Sequence, residues 1–424
     1  MLDIKYIRDN TDLVKKKLTS RKEDASIVDQ LLSDYKEKLD VLNRLEKLKG
    51  EKNKSSDKFA QMMRNKENTD EIKKEVSEIS EKIKSLEEEL KIIDPKINDA
   101  LRDIPALPDD SVPFGKDASE NVEVRVRGEK ISFSFKPKDH LELSKKLNIL
   151  DFERGAKITG SGFPLYIGKG ATLERSLINF MLDTHIANGY TEVMTPVLVN
   201  RASMEAAEKV PKFEDDMYYM ERDDLFAIPT AEVPIINIHR DEILKEEQLP
   251  IKYSGFTNCF RREAGSYGKD TKGFLRVHQF NKVELINFSK PEDSYSEMEK
   301  MLNDACRILD ALQIHYRIIE LCTGDLSFSA SKCYDIEVWS YAEDKWLEAS
   351  SVSNCTDFQS RRGEIRYKKK LENGKTKNEF VHLLNGSGLA TSRLMVSLLE
   401  TNQDENGNIN VPEVLRKYTG WDKI

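Results

Sequence analysis

Apolar residues late in the first quarter of the chain fall at Ile72, Val76, Ile79, Ile83, Leu86, Leu90, Ile93 and Ile97, spaced alternately by four and three. That alternation is the seam of an α-helix that packs along one stripe, carried for several heptads without a break. A less regular seam precedes it. Val28, Leu32, Tyr35, Leu39 and Leu42 keep the alternation, which drifts through Leu45 and Leu48, meets the polar run EKNKSSDK, and resumes at Phe59, Met62 and Met63. Between the two, NKENTD (65–70) is polar throughout and reads as a turn, with Thr69 or Asp70 as the N-cap of the second helix. The pattern therefore predicts an antiparallel helical hairpin over about 27–102, an arm with little room for a globular core. A heptad arm either pairs two chains as a coiled coil or projects to touch a large partner, and its Lys-rich polar face allows the second.

The pattern changes after the arm. IPALPDDSVPFGKD (104–117) holds three prolines and a glycine and reads as a linker in which helix cannot continue. Three parts result: an N-terminal unit over 1–103, the linker over 104–117, and a larger domain over 118–424. In the last, short β-branched runs such as VEVRVRG and ISFSF mix with helical patterns such as ATLERSLINFMLDTHIANG. Strands and helices do not alternate at βαβ spacing, so the expected class is α+β, a mixed and mainly antiparallel sheet with packed helices.

Composition narrows the setting. Charged residues make up 33% and apolar residues 38% of 424, and no apolar run is long enough to span a bilayer, so a membrane partner is not expected. The first residues, MLDIKYIRDNTDLVKKKL, start an amphipathic helix and lack the apolar core and cleavage site of a signal peptide, which points to the cytoplasm. Cys259, Cys306, Cys322, Cys333 and Cys355 are odd in number and widely spaced, as expected of reduced, buried thiols rather than disulfides or a zinc site. A net charge of −8 argues against coating nucleic acid nonspecifically, yet leaves room for one local basic face.

Several chemistries are missing as motifs: no GxxxxGK[ST], no GxGxxG after a strand, no HExxH, and six histidines too scattered to form a ligand set. Three charged clusters remain. In IPTAEVPIIN (228–237), Thr230 and Glu232 lie two apart and would share a face of a strand. FTNCFRREAGSYGKDTKGFLRVHQFNKVELINF (256–288) reads as a hairpin with a wide, flexible tip. Arg261 and Glu263 share a face of its first strand, and Phe280, Lys282 and Glu284 a face of the return strand. WLEASSVSN (346–354) reads as a strand, and NGSG in LLNGSGLATSRLMVSLLE (383–400) as a turn opening the helix that carries Arg393. Each alone is compatible with a solvated salt-bridge ladder or an ordinary helix start. Together they hold the parts needed to activate a carboxylic acid with a nucleoside triphosphate: arginines for phosphates, carboxylates for Mg²⁺ and an ammonium, and an aromatic for a base.

These segments resemble the three signature motifs of class II aminoacyl-tRNA synthetases. In detail, and essentially end to end, the chain is similar to seryl-tRNA synthetases of the bacterial and eukaryotic type. The first motif matches LERSLINFMLDTHIANGYTEV and a following strand with Thr195 and Pro196, the second FRREAGSYGKDTKGFLRVHQFNKVE, the third NGSGLATSR. The triplet TAE (230–232), CTGDLSFSASKCYDIEVW (322–339) and the hairpin arm sharpen the match. The resemblance implies a cytoplasmic homodimer that joins L-serine to tRNA(Ser) through a seryl-adenylate, with ATP as substrate, Mg²⁺ as cofactor and tRNA(Sec) as a further acceptor. It implies that the arm binds tRNA. Thr230, Ala231, Glu232, Arg261, Glu284, Asn385 and Ser387 would bind serine. Arg261, Arg262, Glu263, Val277, Phe280, Glu348, Ala349, Ser350, Ser351 and Arg393 would bind ATP, although Arg262, on the opposite strand face, also reads as an ordinary surface charge. Arg261, Glu263 and Arg393 would act in catalysis, and Glu348 and Ser351 would hold Mg²⁺. Two stretches depart from the expected pattern, SGFPLYIGKGA (161–171) and the Lys-rich IRYKKKLENGKTKNEF (365–380).

Overall fold

The computed structural model describes residues 1–263 and 273–424, so the hairpin tip expected within 264–272 lies outside the described residues. The chain divides into two compact units, Met1–Pro105 and Ala106–Ile424.

In the first unit, Ile4–Asp9 and Thr11–Ser20 are short helices in place of one continuous amphipathic helix. They precede two long ones, α1 (Ile27–Arg64) and α2 (Asp70–Asp103), which pack along each other as the predicted hairpin. At 1.5 Å per residue the 38-residue α1 is about 57 Å long. Thr69 is the N-cap of α2 without a side-chain capping bond, and Asn68 Oδ1 instead accepts from the Asp70 amide at 3.0 Å. The α2 seam largely follows the reading: Ile72, Ile79, Ile83, Leu86, Ile93 and Ile97 are buried, while Val76 and Leu90 are half-buried. The α1 seam is not. Val28, Leu31, Val41 and Leu45 are the buried apolar positions, Leu32 is only half-buried, and Leu42 is exposed. Nor does EKNKSSDK interrupt the helix, because Ser55 fills a buried seam position and donates to Glu75 Oε1 of α2 at 2.8 Å.

The proline-rich stretch after the arm does not hang free. Ala106 and Asp109 donate backbone bonds of 2.9 Å to Phe328 and Ser331, and Ala106 and Val112 are buried, so 106–117 runs along the second unit. That unit is built on an eight-stranded sheet among the described residues. Its strands are β1 (Val122–Arg127), β2 (Thr191–Glu192), β3 (Ile251–Phe260), β4 (Gln279–Ser289), β5 (Tyr316–Glu320), β6 (Lys332–Ser340), β7 (Lys345–Asn354) and β8 (His382–Ala390). They lie in the order β1-β5-β6-β7-β8-β4-β3-β2, antiparallel except for the β2–β3 pair. This is the mixed, mainly antiparallel α+β architecture predicted. Three details differ. ISFSF forms no strand, because the Ile131 amide bonds the Tyr341 hydroxyl at 2.9 Å and Phe133 packs edge-on against that ring, leaving no strand neighbour. Thr195 and Pro196 lie between strands. NGSG lies inside β8, and the helix after it begins only at Thr391.

Successive side chains on a strand face opposite ways, and β4 divides the unit accordingly. Val283 and Leu285 enter a large core with Leu177 and Met181 of α3 (Lys169–Ala187), Met301 of α4 (Ser294–Ala311) and Leu398 of α5 (Thr391–Thr401). Ile286 and Phe288 enter a smaller core with Phe226, Ile235 and Leu383. Phe280, Lys282 and Glu284 continue the face of Ile286, where the apolar residues give way to polar ones. The Lys-rich 365–380 stretch forms an antiparallel hairpin, Arg366–Lys370 with Thr376–Phe380. All five cysteines are free and buried. Among the described residues no helix is long and apolar enough to cross a membrane.

Candidate active site

A cavity of about 710 Å³ opens on the polar side of the sheet, lined from every cluster singled out in the sequence: Thr230, Glu232, Arg261, Glu263, Val277, Phe280, Glu284, Glu348, Ala349, Ser350, Ser351, Asn385, Ser387 and Arg393. Two expected residues do not line it. Ala231 is fully buried as the N-cap of the short helix Glu232–Ile236, and Arg262 is exposed, its amide bonded to Asp216 O and its guanidinium 5.9 Å from the Tyr218 ring. Arg262 is thus placed as the surface charge that one sequence reading made it.

Local backbone irregularities bring the others together. Thr230 and Glu232 do not share a strand, since the chain turns into a helix at Glu232. The Glu232 amide donates to Thr230 Oγ1 at 3.1 Å, the bond a threonine makes just before a helix. Arg261 and Glu263 lie beyond the end of β3, and Glu263 has a left-handed backbone, φ 52°. On a regular strand Glu348 and Ser351 would point to opposite faces. The β6–β7 register slips between the Ile336–Ser350 and Glu337–Glu348 pairs, so the extra residue, Ala349, restores both to one side. A second bulge at Gly388 of β8 keeps Asn385 and Ser387 on the cavity side while passing Leu389 to the core.

One group of residues is carboxylate-rich and buried. Lys282 contacts Glu284 closely and donates to Thr230 Oγ1 at 2.8 Å, and Thr230 Oγ1 donates to Glu284 Oε2 at 3.1 Å. Glu232 receives Gln359 Nε2 at 2.6 Å, Asn385 Nδ2 at 3.3 Å and Lys209 Nζ at 3.3 Å. Burial pushes the Glu232 carboxyl up, but Lys209, the Gln359 amide and Lys282 more than offset this and hold it below the ordinary range. Glu284 goes the other way: burial raises it, and Lys282 only partly compensates beside the negative Glu232. The other group is cationic. Arg261 lies 5.0 Å over the Phe280 ring with Nε bonded to Pro229 O at 3.3 Å, and Arg276 pairs closely with Glu263. Arg393 donates to Glu348 O at 2.7 Å and lies 3.4 Å from its carboxylate.

Lys209, Glu208, Arg276 and Gln359 were not singled out from the sequence. Nothing local could have marked Lys209 or Gln359, which meet Glu232 only through the fold. Lys282 was placed on the correct face without a role, and its spacing of two from Glu284 was the available signal.

This sheet with its motifs is the catalytic core of a class II synthetase. A family profile for the tRNA synthetase class II core domain (G, H, P, S and T) matches residues 212–402, and one for the seryl-tRNA synthetase N-terminal domain matches 1–108. The chain is 53% identical to serine–tRNA ligase of Chloroherpeton thalassium, covering the whole of both chains. It superposes on seryl-tRNA synthetase of Pyrococcus horikoshii, solved with ATP, with a TM-score of 0.94 at 39% identity over 100% of this chain and 99% of that one. The cytoplasmic serine–tRNA ligase of Naegleria fowleri, solved with AMP, gives 0.89 at 28% identity over 100% and 98%. The chain belongs to the serine–tRNA ligase family.

Proposed function

We propose that the protein joins L-serine to tRNA(Ser), and to tRNA(Sec) where one exists, in two steps at this cavity. The serine carboxylate attacks the α-phosphorus of ATP, forming seryl-adenylate and releasing diphosphate. A terminal ribose hydroxyl of the tRNA then attacks the acyl carbon and releases AMP. Neither step uses a protein nucleophile, so the site works by positioning and charge stabilisation. The observation that carries this reading is the juxtaposition in one cavity of Arg261, a buried Glu284 and a buried Glu232 that Lys209 and Gln359 contact directly.

The serine ammonium sits on Glu232, and its hydroxyl bonds Thr230, Glu284, Asn385 and Ser387. Arg261 bridges the serine carboxylate and the α-phosphate, Phe280 stacks on adenine with Val277 beside it, Glu263 contacts the adenylate, and Arg393 takes the γ-phosphate, with Ala349 and Ser350 closing the wall. The Glu348 carboxylate and Ser351 hydroxyl are hard oxygen donors brought to one side by the bulge, a set that suits Mg²⁺ completed by phosphate oxygens. When bound, Mg²⁺ neutralises phosphate charge. The enzyme works in the cytoplasm as a homodimer, and the exposed apolar side chains of Ile186, Met194 and Leu198, around the first motif, support a second copy as their cover.

The test is serine-dependent exchange of diphosphate into ATP, repeated with threonine, glycine and alanine. Serine should support exchange by a factor of about 10⁴ over alanine, because a buried site built to hydrogen-bond a substrate hydroxyl rejects the analogue that lacks it. Equal exchange with alanine, or none with serine, would sink the reading.

A further inference from the structure

The assignment of Glu232 to the substrate ammonium leaves open what keeps a carboxylate charged and aimed while it is buried, and the inference here rests on that assignment. Both oxygens already have partners. Oε1 accepts from Gln359 Nε2 at 2.6 Å and Asn385 Nδ2 at 3.3 Å, and Oε2 lies 3.3 Å from Lys209 Nζ. Gln359 is 1% exposed and sits in the short helix Phe358–Arg362, which is pinned by Ser360 Oγ donating to Val381 O at 2.6 Å. The same Gln359 amide reaches Glu208 Oε2 at 3.3 Å, so one NH₂ group spans two buried carboxyls. Glu208 lines the cavity at 4% exposure, its Oε1 has no hydrogen-bond partner, and its backbone is left-handed, φ 52°. The groups facing Glu232 are thus Lys209, Gln359, Asn385, Lys282, Glu208, Glu284 and the Cys355 thiol.

Three carboxyls, Glu208, Glu232 and Glu284, stand against two ammonium groups, Lys209 and Lys282, with the Arg362 guanidinium acting on Glu208 as well. Glu232 thus has a like charge on two sides, and Lys209 is the cation in direct contact with it. We propose that Lys209 and Gln359 are positioning residues that hold the Glu232 carboxylate charged and aimed before serine arrives, and that Glu208 sets how much charge Lys209 must balance. Without Lys209, Glu232 would face Glu208 and Glu284 with only Lys282 in support, and it would take up a proton in the neutral range. A protonated Glu232 cannot pair with an ammonium.

The test is diphosphate exchange by the full chain, reading the serine KM and ATP KM between about pH 6 and 8, a window in which the carboxyl ordinarily stays ionised. Lys209→Met and Gln359→Leu should each raise the serine KM about 30-fold or more, the loss that follows from removing one partner of a buried charge. The ATP KM, which also reports that the site has folded, should stay within about twofold in the same assay. In Lys209→Met the serine KM should climb as pH falls, and adding Glu208→Gln should recover part of the loss by removing the opposing charge. A Glu232→Gln variant separates this inference from the reading beneath it. If Glu232→Gln loses serine but Lys209→Met and Gln359→Leu do not, the positioning role is overturned alone. An equal rise of both KM values with a flat pH profile overturns it too, as the mark of structural damage. If Glu232→Gln leaves the serine KM unchanged, the assignment of Glu232 falls and this inference with it.

Discussion

His185 shows how a residue far from the chemistry can set conditions for it. Its Nε2–H donates to the Gly388 carbonyl at 2.7 Å from a fully buried ring, and burial lowers its pKa from 6.5 to about 4, partly opposed by that hydrogen bond. A histidine whose folded pKa is depressed contributes stability that is complete above the unfolded pKa and is lost as pH falls toward the folded one. The window is therefore between about pH 6.5 and 4, and a shift of that size corresponds to roughly 3 kcal/mol. Denaturant unfolding of the wild type and of His185→Gln should show the wild type losing about 3 kcal/mol more than the variant across that window. Parallel losses would mean that His185 is not held neutral. The spacing of the histidines made each a structural or surface residue rather than a metal ligand, but it could not reveal which of them was buried against a carbonyl.

The carbonyl that His185 holds belongs to a bulge, and at the scale of elements the bulges do most to assemble the site. A Cβ on Gly388 would lie 2.5 Å from His185 Nε2, too close for a ring packed on all sides to give way. Gly388→Ala should therefore cost about 1–3 kcal/mol and, by shifting Ser387, raise the serine KM more than the ATP KM. Thermal unfolding and exchange kinetics check both, and an unchanged melting temperature would show that the bulge is more pliant than this close approach implies. The bulges also explain where sequence reasoning stopped. A period of two put Phe280, Lys282 and Glu284 on one face correctly because β4 is regular over them. The same rule separates Glu348 from Ser351, which only the resemblance had joined, because an inserted residue depends on the partner strand and leaves no local trace. Thr230 and Glu232 were brought together by the wrong element, a strand in place of a helix start. In the arm, apolar spacing gave the register of α2, whereas α1, with Ser55 in its seam and Leu42 outside it, has a weaker stripe whose register the spacing misplaces.

The molecule as a whole is two compact units, and every residue lining the cavity lies in the second. The first unit contributes the arm, whose charge is unevenly spread. From Arg44 to Lys66, α1 and the turn after it carry eight Lys or Arg against three acidic residues, and Lys47, Lys54 and Lys58 are exposed. Such a stretch suits binding to phosphates, which carries affinity without reading sequence and weakens as salt rises. The two steps of the reaction make different demands on these units. Adenylate formation needs only small substrates in the cavity, while charging requires the tRNA to be held. Deleting about residues 30–100 should leave serine-dependent exchange within about twofold of the full chain and abolish tRNA charging, because the small-molecule step makes no use of the arm. A milder variant, Lys54→Glu with Lys58→Glu, should raise the KM for tRNA, flatten its dependence on salt, and leave exchange unchanged, since each lysine–phosphate pair removed takes about one unit off the salt slope. Charging that survives the deletion would return the arm to the other role open to a heptad hairpin, that of pairing two chains, and sedimentation of the deleted protein would then have to show a monomer.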